Sequence, residues 1–452
     1  MKLSLYHKLM VFHIFLGIVI FVFKPFAKVY FLYVAFFFIY KIFNVPSKKK
    51  ILFVLIGSSY IVGLEVFLRM NNGTFFYEGS KYLVMLFVLI GLFTTRFNNK
   101  GLIYVFYLLL LIPAIFVAVS NMGFETNIKK AVAFNLSGPV CLGLFAFFCY
   151  GKSLSFDQFK LVLLAIAMPV ISMTTYLFFF TPDLRTVVSG TGSNFATSGG
   201  FGPNQVATAL GLGMFVMASR FFMSKSNRIL KIIDLAILVA ISFRAIVTFS
   251  RGGVITAVVM ILCFLLFYFI KVNLKFKRKI LFSLVAFLGI SFSTWVISSV
   301  QTGGFIDKRY ANQDAAGREK ADITTGRENL ILFEIKQFID NPILGVGVGK
   351  VKDKRLEETG ILAASHNELG RIIAEHGSLG LIALLILLII PLFNRLNNKS
   401  NIFFYSLYLF WFLTINHSAM RIAAPAFIYG LCLLTIKYEK PPLHRKQIIT
   451  QK

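Results

Sequence analysis

Apolar runs of about 15 to 22 residues recur along the chain, separated by short polar or basic segments. Each is near the length an α-helix needs to cross ~30 Å of hydrocarbon. Fourteen such runs, some of them short, predict an all-α polytopic membrane protein with about 12–14 transmembrane helices. The rhythm breaks once, between Gln301 and Gly377, where a water-loving segment of 77 residues replaces the spans. The pattern therefore divides the chain into a transmembrane scaffold (1–180), transmembrane helices joined by Gly-rich and Arg-bearing loops (181–300), the large loop (301–377), C-terminal transmembrane helices (378–437) and a basic tail (438–452).

Inside the large loop, two helices are predicted from their caps. Thr325-Gly326-Arg327-Glu328 and Ser365-His366-Asn367-Glu368 both fit the capping box, in which a hydroxyl and a carboxylate three residues apart satisfy orphan backbone donors. The first helix would carry Leu330, Ile331, Ile335, Phe338 and Ile339 on one face and stop at Asn341-Pro342. Gly345, Gly347 and Gly349 then predict a flexible turn. The second helix would begin at His366 and run through Gly377 into the span that ends near Ile390. The loop reads as a small folded lid.

Charge fixes an expected orientation. The chain carries a net +28, but outside 301–377 its 36 basic and 7 acidic residues lie mostly beside spans, which argues against nucleic acid as the partner. Placing both termini in the cytoplasm puts 26 of those basic residues inside and 10 in short outer segments, as the positive-inside rule expects. The large loop, with 11 basic and 12 acidic residues, then falls outside. Lys24-Pro25-Phe26 follows the first apolar run in place of a small-residue cleavage site, so that run reads as a retained span. Cys141, Cys149, Cys263 and Cys432 sit in apolar runs and read as packing residues.

Few residues carry candidate chemistry. As the first residue after a helix cap, His366 would feel the positive end of the dipole, stay neutral and be able to accept a proton; the bland alternative is a structural histidine at a helix start. Arg251, Arg327 and Arg371 lie in outer segments and could converge, and guanidinium groups pair bidentately with phosphate oxygens. Arg371 has a second reading, a pair with Glu368 or Glu375 on its own helix. Asn367, beside the histidine, is a further candidate for substrate contact. Arg244 either snorkels or meets an anion. Glu65 and Arg69, four apart, read as a local ion pair, and Ser189 to Asn204 as either a linker or a gate. There is no phosphate loop ending in Lys-Ser or Lys-Thr, no His-Glu-x-x-His and no Asp-x-Asp in an outer loop. No cofactor or metal is expected, and an activated substrate would supply the driving force.

Ser250-Arg251-Gly252-Gly253, Gly326-Arg327-Glu328, Asn341-Pro342-Ile343-Leu344-Gly345-Val346-Gly347 and His366-Asn367-Glu368-Leu369, followed by Glu375-His376-Gly377-Ser378-Leu379-Gly380, occur in that order. Over roughly Gly200 to Pro391 they resemble the O-antigen ligase and O-antigen polymerase family of bacterial membrane proteins. The resemblance implies a C-type glycosyltransferase of the inner membrane that takes a glycan from undecaprenyl pyrophosphate on the periplasmic side. The acceptor would be lipid A core for a ligase or another lipid-linked glycan for a polymerase. It further implies that Arg251 and Arg327 hold the pyrophosphate and that His366 activates the acceptor hydroxyl, without a metal. One departure is the absence of an aromatic residue shortly after Gly326-Arg327, where Leu330 and Ile331 stand. The competing class is a lipid-linked oligosaccharide flippase or other transporter, which the lack of an internal repeat disfavours.

Overall fold

In the computed structural model, residues 5–121, 127–223, 228–320 and 326–438 are described, and the expected all-α membrane architecture is observed: 76% of the chain is helical. The first half holds α1 (Leu5–Val22), α2 (Phe26–Asn44), α3 (Ser47–Met70), α4 (Gly79–Thr94), α5 (Leu102–Leu110), α6 (Pro113–Asn121), α7 (Ile128–Cys149), α8 (Phe156–Phe180) and α9 (Pro203–Met223). The second holds α10 (Arg228–Ile246), α11 (Arg251–Lys271), α12 (Leu274–Gln301), α13 (Phe305–Tyr310), α14 (Arg327–Asp340), α15 (Lys350–Thr359), α16 (Glu368–Asn397), α17 (Phe404–His417) and α18 (Ala424–Cys432). Among the described residues, ten helical segments are long and apolar enough to span a bilayer, with the stretch 99–120 counted as one; α4 is apolar but shorter. The only named strands among them, Ser153–Ser155 and Thr435–Lys437, pair in parallel with Leu154 opposite Ile436.

The packing radiates from α8 and α9. α8 lies against α1, α3 and α9, and α9 against α10 and α11, so 89% of the span in α9 is buried. In the span of α12 only 11% is buried, with Phe282 and Phe292 projecting outward as a lipid-facing helix requires. Small residues set the closest approach. At Gly253 of α11 an added Cβ would lie 2.7 Å from the Ala207 Cβ of α9, so this crossing, two residues from Arg251, excludes a side chain.

Buried ion pairs tie the scaffold to the C-terminal part. Arg69 binds Glu65 at 2.6 Å and Glu78 at 3.3 Å, and Lys81 binds Glu78 at 2.5 Å. The expected local Glu65–Arg69 pair is thus one edge of a larger network. Glu65 also accepts from the Ala423 backbone N–H at 2.6 Å, Arg69 donates to the Arg421 carbonyl at 3.0 Å, and Lys81 donates to the Met420 carbonyl at 3.1 Å. The 420–423 segment between α17 and α18 is therefore held from beneath by charges on α3 and α4.

The large loop contains more helix than its sequence pattern predicts. α14 ends where Asn341-Pro342 dictates, but its buried face is Phe333, Glu334 and Gln337, whereas Ile335 and Ile339 are exposed. Thr325, the first proposed cap, lies outside the described residues. The three-glycine turn is docked: Val346 and Gly347 donate to the Ala374 and Glu375 carbonyls of α16, and Val348 donates to the Ala114 carbonyl of α6. α15, polar almost throughout, was not foreseen. α16 starts at Glu368 rather than His366 and kinks at Gly377, whose φ of 61° and ψ of −141° lie outside the helical region.

Candidate active site

The site forms where the turn before α11, the short helix α13, the start of α14 and the segment before α16 meet. Phe249 is fully buried with φ of 60°, an uncommon conformation for a bulky side chain, and it turns the chain sharply from α10 into α11. The turn is interlocked with α13. Arg309 Nε donates to the Phe249 carbonyl at 3.0 Å, while Arg251 Nη1 donates to the Arg309 carbonyl at 3.3 Å. Ser250, the residue before α11, donates its hydroxyl to Asn204 Oδ1 at 2.7 Å. Asn204 ends the Gly-rich stretch, and Asn194 within it donates its backbone N–H to the Thr248 carbonyl at 3.1 Å. The stretch is thus packed onto the turn.

His366 precedes the helix cap. Asn367 is the N-cap of α16, its Oδ1 accepting from the Leu369 and Gly370 N–H groups at 2.8 and 3.3 Å. The expected capping box is not formed: Glu368, 1% exposed, turns to Arg371 and to the Met420 N–H. His366 is held in position through its backbone. Its carbonyl accepts from Ala419 N at 3.1 Å, and the Ser365 carbonyl accepts from Arg421 Nη2 at 2.9 Å. The charge network beneath 420–423 thereby fixes the histidine.

A cavity of about 420 Å³ is lined by Arg251, Arg309, Arg327 and His366, together with Asn367 and Glu334. Burial and the Arg251 charge lower the Arg327 pKa, and burial, Arg251 and Arg327 lower that of Arg309. Depression by neighbouring cations marks like charges gathered at one place, a cluster that an anion would relieve. Burial, then the charges of Arg421, Arg327, His417 and Arg355, push the His366 imidazole down to about 4. The histidine is therefore neutral at neutral pH, as expected from the sequence, but the cause is desolvation and nearby cations rather than a place inside the helix.

Residues 236–385 match the family model described as O-antigen ligase. This segment belongs to the O-antigen ligase family. No curated protein matches the chain. The family segment runs from α10 into α16 and so contains the whole arginine–histidine cluster, and the match supports an O-antigen ligase or polymerase-type glycan-transferring function with lipid-linked partners in general.

Of the residues singled out by sequence, Arg251, Arg327, His366 and Asn367 come together in the O-antigen ligase segment, and Arg371 stands apart. Arg371 is 6% exposed, bonds Glu375 at 2.5 Å, pairs with Glu368 and donates to the Asn135 carbonyl at 3.1 Å. It lines a different cavity, bordered by α7 and α15, and its local-pair reading describes its geometry. Asn367 spends its carbonyl oxygen on the cap, leaving its amide N–H groups for a ligand. Two lining residues were missed. Arg309 sits in a six-residue helix with no motif around it. Glu334 stands one α-helical repeat of seven beyond Arg327, a spacing that places both on one face and was the available signal. Glu334 binds Arg355 at 3.1 Å, and Arg355 donates to the Ala363 carbonyl at 2.6 Å, so the pair ties α15 and the segment before His366 to α14.

Proposed function

We propose that the protein moves a glycan from undecaprenyl pyrophosphate to an acceptor hydroxyl on the periplasmic face of the bacterial inner membrane, as an O-antigen ligase or surface-polysaccharide polymerase. The observation that carries this reading is the convergence of Arg251, Arg309, Arg327 and His366 on one cavity. Three guanidinium groups match a pyrophosphate, whose charge they neutralise and whose oxygens they bond in pairs. The acceptor oxygen attacks the anomeric carbon as its proton passes to His366. The bond from that carbon to the pyrophosphate oxygen breaks, and the pyrophosphate leaves with the electron pair, held by the arginines. Asn367 is assigned a polar contact to the substrate through its amide. The basic residues flanking the spans support a cytoplasmic location for both termini.

Turnover of a purified lipid-linked glycan by the full-length protein in detergent tests the reading, because a flippase yields no transferred product there. His366→Ala and Arg327→Ala should abolish product while the proteins remain folded; full activity in either variant would remove its residue from the site. The surface glycan of a deletion strain decides between the acceptors: one repeat left on the core indicates a polymerase, and bare core with accumulated lipid-linked chains indicates a ligase.

A further inference from the structure

Arg244 lies seven residues before Arg251, at the end of α10, and is not one of the residues lining the cavity just described. It is 1% exposed. One nitrogen, Nη2, is used: it donates to the Thr181 carbonyl at 2.9 Å and to the Leu177 carbonyl, closing the C-terminal end of α8. Among the described residues, Nε and Nη1 have no hydrogen-bond partner. A buried guanidinium with two open donors and no carboxylate is a costly arrangement at membrane depth, where an unmet charge is offset by an anion or by water.

The same side chain borders another cavity, of about 410 Å³, between α8, α10 and α12. None of its lining residues is acidic. The nearby Asp183 carboxylate is exposed and accepts from the Arg185 N–H at 3.0 Å. Phe178 and Phe243 stack with centroids 5.9 Å apart and planes 9° apart, and the Arg244 guanidinium carbon sits 4.4 Å from the Phe178 ring centre. Phe178 and Ile297, also lining residues, are 40% and 51% exposed, so the cavity opens toward the apolar, lipid-facing side of the helix bundle. Thr294 and Gln301 add polar groups at the same wall.

We propose that this cavity is a binding site for a phosphate group, with Arg244 Nε and Nη1 as its donors. Its apolar rim suits the phosphodiester of a membrane lipid better than free inorganic phosphate. The site is separate from the arginine–histidine cavity: the two share no lining residue, and the 247–250 turn follows Arg244 along the chain.

Native mass spectrometry of the full-length protein in detergent tests the proposal with three probes: phosphatidylglycerol, diacylglycerol of the same chains, and inorganic phosphate. The wild type should hold one more phosphatidylglycerol than Arg244→Gln at concentrations roughly ten- to a hundredfold below those needed for diacylglycerol, the range expected of charged hydrogen bonds. Ala240→Phe fills the cavity and leaves Arg244 intact; it should lose the same lipid, which keeps the test decisive if Arg244→Gln does not fold. Equal phosphatidylglycerol retention by wild type and Ala240→Phe, or equal retention of the two lipids by the wild type, would overturn the site. Binding of inorganic phosphate without phosphatidylglycerol would keep the anion chemistry and overturn the lipid source.

Discussion

Removing Arg371 should destabilise the fold rather than weaken substrate binding. Its guanidinium lies between two buried carboxylates, Glu368 and Glu375, and also donates to the Asn135 carbonyl. Arg371→Ala strands two negative charges that are each about 1% exposed, and it leaves a backbone acceptor of α7 unmet. Breaking a buried pair by removing one partner costs about 3–5 kcal/mol, against a total stability of about 5–15 kcal/mol. The cost arises from the stranded charges, so it should shrink when they are neutralised. A variant with Arg371→Ala, Glu368→Gln and Glu375→Gln should regain most of the loss, because the amides are close in shape and carry no charge. Thermal unfolding followed by size-exclusion chromatography in detergent, for the wild type, the single variant and the triple variant, gives the comparison. A single variant as stable as the wild type that has lost its donor affinity would refute the reasoning and return Arg371 to the substrate.

Arg309→Ala should behave in the opposite way: it gives up one hydrogen bond, about 1 kcal/mol of stability, while glycan transfer falls roughly a hundredfold or more, the scale of removing one charge-stabilising donor, as read by product formed per folded protein. Gly377→Ala should cost about 1–3 kcal/mol from its φ of 61°, and more because the added Cβ would lie 2.5 Å from the Ile343 carbonyl oxygen; thermal unfolding against the neighbouring Ser378→Ala measures it. His366 gives a pH signature. Its pKa falls from 6.5 to about 4 on folding, so in that window the unfolded chain binds a proton that the folded chain does not, and stability should drop as pH drops from 6.5 toward 4; His366→Gln should flatten that part of the stability profile. Exchanging the charge of Glu334 for an amide, Glu334→Gln, should loosen α15 against α14, visible as faster hydrogen exchange over 350–359 with α3 unchanged.

The spans were legible because their apolar runs are long enough to permit little else, and α14 because a proline follows its last turn. What escaped was set by partners distant in sequence. Ser365 and Asn367 are both good caps, and only the 419–421 segment decides between them, since it takes the Ser365 and His366 carbonyls and keeps those residues out of the helix. α14 is apolar on more than one side, so which side is buried depends on α16, where Gly370 leaves room for Glu334. α15 has no apolar stripe and is anchored by Val351, Arg355 and the pair to Glu334. Arg251, Arg327 and His366 could be read because each stands in a short motif, while Arg309 becomes visible only when α13 folds back onto the turn at Phe249.

The charge of the arginines acts on the histidine. Arg327 and its neighbours add to desolvation in holding His366 far below its usual pKa, so the imidazole is neutral but a weak base. A pyrophosphate on the same arginines cancels the field that depresses His366 and adds negative charge beside it, and both changes raise its proton affinity. In the proposed reaction, the group that would accept the hydroxyl proton is therefore strengthened by the arrival of the donor whose leaving group the arginines would hold. One electrostatic arrangement thus both favours donor binding and readies the base for the acceptor.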